Sequence, residues 1–82
     1  MPQSERSNIL KKIVEWLASQ ERGQTTGAIR THTKWEITEG GATDNTIKKY
    51  IKDLDRASLI EYKHPFWRVT KYGKEWLERH SL

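Results

Sequence analysis

The stretch Gly40-Gly41-Ala42-Thr43-Asp44-Asn45-Thr46-Ile47-Lys48-Lys49-Tyr50-Ile51-Lys52-Asp53-Leu54 decides how the chain is read. Two glycines break the chain, and Thr43 follows where a helix N-cap belongs, its hydroxyl placed to accept a free backbone N–H. Asp44 in the first turn suits the positive end of the helix dipole. Ile47, Tyr50, Ile51 and Leu54 recur at helical spacing and make one apolar stripe. Asp44, Asn45, Lys48, Lys49 and Lys52 fall on the other side, which carries nothing apolar. That face is either ordinary solvated surface or a surface offered to DNA.

Downstream, the helix is expected to end near Ser58. Leu59-Ile60-Glu61-Tyr62-Lys63 and Phe66-Trp67-Arg68-Val69-Thr70 are β-prone runs around a His64-Pro65 tip and read as an antiparallel hairpin. Alternation puts Ile60, Tyr62, Trp67 and Val69 on its inner face and turns Phe66 and Arg68 outward. Phe66 could pack on sugars, join a dimer contact or cover the hairpin, the last being favoured. Thr70 caps a final helix from Lys71 to about His80, with Tyr72, Trp76 and Leu77 facing inward.

Upstream, Ser4 or Ser7 can cap a first helix reaching about Gln20, with residues 1–4 frayed ahead of it. Ile9, Leu10, Ile13, Val14, Trp16 and Leu17 form its apolar stripe. Gly23 is expected to end it, with Arg22 near its C-terminus. Thr25 or Thr26 caps a short second helix through about Thr33, with Ala28 and Ile29 as core candidates. Lys34 to Ala42 alternates enough to suggest a short extended segment, and Trp35 is expected to dock on the core. Trp16, Trp67 and Trp76 are read as core residues from their spacing.

Eighty-two residues bound the chain to one domain over 1–82, near the lower limit for a single unaided core. No run approaches the roughly 18 apolar residues of a membrane span, and Lys11, Lys12 and Glu15 interrupt the first apolar cluster, so no signal peptide is read. Absence of Cys removes disulfides and thiolate chemistry and fits a reducing cytoplasm. The net charge is +4, and all of it comes from residues 43–74, where eight Lys/Arg face four Asp/Glu. Localised positive charge is the footprint of a phosphate-backbone binder.

Two segments carry a family likeness. Thr46-Ile47-x-Lys49-x-Ile51-x-x-Leu54, followed by Ser58-Leu59-Ile60, resembles the recognition helix and first wing strand of winged helix-turn-helix DNA-binding domains. Trp67-Arg68-Val69-Thr70-Lys71-Tyr72-Gly73-Lys74-Glu75-Trp76-Leu77 looks like that family's second wing strand running into its last helix. The likeness covers roughly residues 43–77. It implies a mainly α protein with a small β-hairpin (α+β), in the order helix-helix-helix-strand-strand-helix. The chain departs from the family in having Ser58 where Gly is usual and a long connector at Lys34 to Ala42. Its wing tip is also very short, which argues against deep minor-groove insertion. The Gly-Gly-Ala-Thr-Asp lead-in resembles small regulators of archaea and their viruses or plasmids.

The resemblance implies double-stranded DNA as partner and transcription regulation as role, with a homodimer expected because one module covers little DNA. Asp44, Asn45, Lys48 and Lys49 are the base-reading candidates: Asn can pair with adenine, Lys with guanine acceptors, and Asp with a cytosine amino group. Thr26, Arg30, Thr43, Lys52, Arg56, Lys63, Arg68 and Lys71 are candidates for phosphate, with Lys74 and the hydroxyls of Thr25 and Thr31 behind them. The rival reading is a winged-helix protein–protein interaction module, in which the lysine face is only solvated. His32, His64 and His80 lack metal-ligand spacing, no carboxylate pair lies on an apolar face, and Gly40-Gly41 lacks a nucleotide-loop ending. No enzyme activity, cofactor, metal, membrane association or small-molecule ligand is expected.

Overall fold

The helix at the centre of the sequence forms as its spacing predicts. A computed structural model describes residues 2–80, with side chains from Arg6 onward. Helix α3 spans Asp44–Arg56. Thr43 is its N-cap, the hydroxyl accepting the Thr46 N–H at 3.2 Å, an interaction worth about 1 kcal/mol. Ile47, Ile51 and Leu54 are buried, as their spacing requires. The other end closes with Ser58 in the left-handed region at φ 62°. The Leu59 N–H bonds the Leu54 carbonyl and the Ser58 N–H bonds the Asp55 carbonyl, both at 3.0 Å. This is a Schellman motif, with Leu59 and Leu54 buried together behind it. Ser58 therefore occupies the position that glycine fills most comfortably.

Strands β1 (Ile60–Lys63) and β2 (Phe66–Val69) follow as an antiparallel hairpin, pairing Ile60 with Val69 and Tyr62 with Trp67. The chain then enters α4 (Lys71–His80), capped by Thr70, whose hydroxyl accepts the Gly73 N–H at 2.9 Å. Before α3 come α1 (Pro2–Ser19) and α2 (Thr26–His32), the latter continued by a π-helical turn over Thr33–Ile37. Thr25, not Thr26, caps α2, accepting from the Ala28 N–H. The protein is thus mainly helical, with two strands in the order helix-helix-helix-strand-strand-helix. No helix among the described residues is long and apolar enough to cross a membrane.

The core is built from Ile13, Val14 and Leu17 of α1, Ile29 of α2, the three buried α3 residues, Ala42, Leu59 and Ile60. Trp16, Trp67, Trp76 and Leu77 pack half-buried against it. Two glycines allow the close approaches. A Cβ on Gly23 would stand 2.7 Å from the Phe66 Cβ and 3.0 Å from the Trp67 carbonyl oxygen; one on Gly73 would collide with the Leu59 carbonyl oxygen. With Gly23 pressed on β2, the adjacent Gln24 exchanges two backbone bonds with Trp67, at 2.9 and 2.7 Å. The Trp67 indole N–H reaches the Thr26 hydroxyl at 2.9 Å. The hairpin is so fastened to the start of α2.

Several sequence expectations are corrected. Helix α1 is already helical at Pro2, so neither Ser4 nor Ser7 starts it, and of the expected frayed residues only Met1 lies outside the described residues. It ends at Ser19, with Gly23 serving strand approach instead of helix termination. Residues 33–37 are π-helical, not extended. That wider turn directs Thr33 and Ile37 inward and leaves Trp35 60% exposed, not docked on the core. Tyr72 is 48% exposed, because Gly73 takes the inward position of α4 that its contact with Leu59 demands. Tyr62 lies on the inner face but beyond the core; it is exposed, with its ring on Trp67 at 4.9 Å and its hydroxyl bonded to His64.

Candidate nucleic-acid interface

At 3.6 residues per turn, Asn45, Lys49, Lys52 and Arg56 lie within roughly 50° of the direction opposite the buried stripe of α3, with Lys48 on one flank. All five are exposed. Among the described residues, no side-chain hydrogen bond or ion pair engages any of them. Two of the three acids of the same helix are paired with cations from elsewhere, and the third, Asp55, is exposed with no ion pair among the described residues. Asp53 pairs with Arg6 of α1, whose guanidinium also lies 5.9 Å from the centre of the Tyr50 ring. Asp44 pairs with Lys34 at 3.8 Å. The helix therefore shows solvent a cationic stripe with one carboxamide near its N-terminal end and Asp55 on the flank that carries Lys48.

That stripe has a local cost. Lys48, Lys52 and Arg56 are spaced i, i+4, i+8, and each like-charged neighbour pair destabilises a helix by about 0.2–0.5 kcal/mol. Lys49 and Lys52 add an i, i+3 repulsion, while Asp44/Lys48, Lys49/Asp53 and Asp53/Arg56, at the same spacings, oppose it with attractions of similar size.

The remaining candidates divide. Lys63 is exposed at the hairpin tip, on the strand that packs against α3. Lys71 is exposed at the start of α4. Arg68 is not free: its Nε donates to Glu61 across the strands at 3.0 Å. It lines a shallow groove with Phe66, Lys74 and the end of α1, away from the α3 stripe. Thr26 is engaged by the Trp67 indole and Thr43 by the Thr46 amide, so both hydroxyls already serve the fold. Arg30 is half-buried, and its Nε is shielded from solvent without a hydrogen-bond partner. The structure thus brings Asn45, Lys48, Lys49, Lys52 and Arg56 together and assigns Thr26, Thr43 and Arg68 to internal contacts.

Sequence reasoning missed the two cations that pair with acids of α3. Arg6 stands 47 residues from Asp53, a separation at which no spacing rule signals a pair. His32 stacks on Trp16 with centroids 4.1 Å apart. Burial pushes its pKa below the ordinary 6.5, against a smaller raising effect of Glu36. No family model matches the chain, and comparisons with curated proteins and with solved structures give no significant match.

Proposed function

We propose that the chain is a winged helix-turn-helix protein that binds double-stranded DNA sequence-specifically and regulates transcription as a homodimer. The observation that carries this reading is the α3 stripe, whose polar side chains make no side-chain hydrogen bond or ion pair among the described residues, while Asp44 and Asp53 of the same helix are paired with cations from other elements. The hairpin packed beside α3 and bridged to Gln24 supports it, since a wing must be held rigidly against the reading helix.

Asn45 and Arg56 stand about 16 Å apart along the helix axis, more than the ~12 Å width of a major groove. Base reading therefore belongs to one end of the stripe. Asn45, Lys48 and Lys49 read bases at the N-terminal end, and Lys52 and Arg56 meet phosphates, with Lys63 and Lys71 as outlying clamps. Asp44 serves the helix start through Lys34 more than it serves cytosine. The molecule measures 31 × 29 × 21 Å, so two copies side by side would present their helices near the roughly 34–36 Å separation of successive major grooves.

Duplex binding measured by fluorescence anisotropy across a salt series tests the reading. Log affinity should fall with log salt with a slope of about −0.9 per phosphate contacted. Asn45→Ala should flatten preference among sequences, and Lys52→Ala should weaken all duplexes alike. A protein that binds no duplex at low salt would refute the proposal and favour a protein-interaction module.

A further inference from the structure

Trp35 is the most exposed large apolar side chain among the described residues, yet it is not loose. Its ring rests on Gly40, where an added Cβ would stand 3.4 Å from Cζ3. Gly40 has φ 84° and donates its N–H to the Lys34 carbonyl, closing the π-helical turn. The Lys34 ammonium lies 5.4 Å from the centre of the indole and 3.8 Å from the Asp44 carboxylate at the start of α3. One cation thus links the indole to the end of α3 that carries Asn45. Of the nearby acids, Asp44 is the one paired with this cation, and Glu39 lines a groove with Arg6 and Lys12.

A large apolar plane held rigid, with a cation over it, beside a cationic helix stripe, has the chemistry of a nucleic-acid backbone contact. Deoxyribose offers apolar surface and the adjoining phosphate offers the anion. We infer that Trp35 is a further DNA-contacting residue, packing its indole on the sugar–phosphate backbone bordering the groove that α3 enters. This rests on the DNA-binding reading of α3 and extends the interface to the connector before it. Half of the exposed indole surface, removed from water, supports an affinity gain of about tenfold. Because the contact is apolar, it adds affinity without adding to the count of released counterions.

The test uses the full chain and a duplex recovered by selection from a random DNA pool. Trp35→Ala should lose about tenfold in affinity at fixed salt while the log–log salt slope stays at the wild-type value. Trp35→Phe, which keeps an aromatic plane, should recover most of the loss. Acrylamide quenching of the wild-type protein gives a readout independent of any variant's folding: the accessible tryptophan emission should become shielded when duplex is added. Wild-type binding with an unchanged Trp35→Ala affinity and no shielding would overturn the inference and leave the α3 reading intact. Absence of wild-type binding would overturn both. A sedimentation shift in Trp35→Ala with unchanged DNA affinity would assign the indole to contact with a second copy, and would likewise overturn it.

Discussion

Replacing Ser58 by glycine should stabilise the protein. Ser58 sits at φ 62°, where the Cβ of an L-residue crowds the following carbonyl at a cost of about 1–2 kcal/mol. The side chain is exposed and engages nothing that would be lost. The two terminating bonds of α3 and the Ser58 carbonyl that accepts the Thr70 hydroxyl at 2.6 Å are all backbone, so Ser58→Gly retains them. Against the relief stands glycine's greater freedom in the unfolded chain, about 0.5–1 kcal/mol. The difference is a gain of about 0.5–1 kcal/mol, or roughly 2–8 °C in Tm for a domain of this size. Thermal melts followed by circular dichroism, paired with urea titrations, measure it, and the urea m-value should not change. Ser58→Ala, which keeps the Cβ, should show no comparable gain. An equal or lower Tm for Ser58→Gly at constant m would refute the assignment of strain to this residue.

Three other perturbations follow from contacts already described. Gly73→Ala would gain about 1 kcal/mol in an exposed helix, but here the new methyl meets the Leu59 carbonyl and Val69; we expect a loss of about 2–3 kcal/mol by urea titration, and a gain would mean that α4 does not lie so close. Thr33 is 1% exposed and its hydroxyl has no partner, so Thr33→Val should be neutral or stabilising by about 1 kcal/mol, whereas a clear loss would reveal a bond to that hydroxyl. Burial lowers the pKa of His32, so the unfolded chain takes up the proton first, and stability should fall as pH drops through 6.5 and level off below the folded-state value. His32→Gln should remove that component from the Tm–pH profile as pH falls through 6.5, and an unchanged profile would exclude His32 as its source.

What the sequence reveals depends on how local the cause is. The α3 stripe, its Thr43 cap, the hairpin and the Thr70 cap arise from neighbours within a few residues, and each is legible from spacing. The π-helical turn is not, because Thr33-Lys34-Trp35-Glu36-Ile37 has no composition that distinguishes such a turn from a strand. Its form comes from burying Thr33 and Ile37 while Gly40 closes the end. Once that turn is missed, Trp35 lands on the wrong side. Tyr72 failed for a similar reason: apolar character argued for the inside, but the tightest helix approach needed the residue with no side chain. In the candidate interface, the cationic side chains are legible from charge and period. Their freedom is not, since it depends on Arg6 and Lys34 reaching across the fold to Asp53 and Asp44.

The bridge between Gln24 and Trp67 has a bearing on folding as well as on shape. A two-stranded hairpin alone is marginal in water, and this one takes two backbone bonds and an indole bond from the segment between α1 and α2. The hairpin is therefore tied to residues more than forty positions earlier in the chain. The strands cannot peel away as a separate unit without giving up those bonds, and the first third of the chain cannot be removed without unmooring them. Coupling of this kind makes opening of the hairpin part of global unfolding rather than a local excursion. Amide protons of β2 should then exchange on the same slow timescale as those of the buried helices.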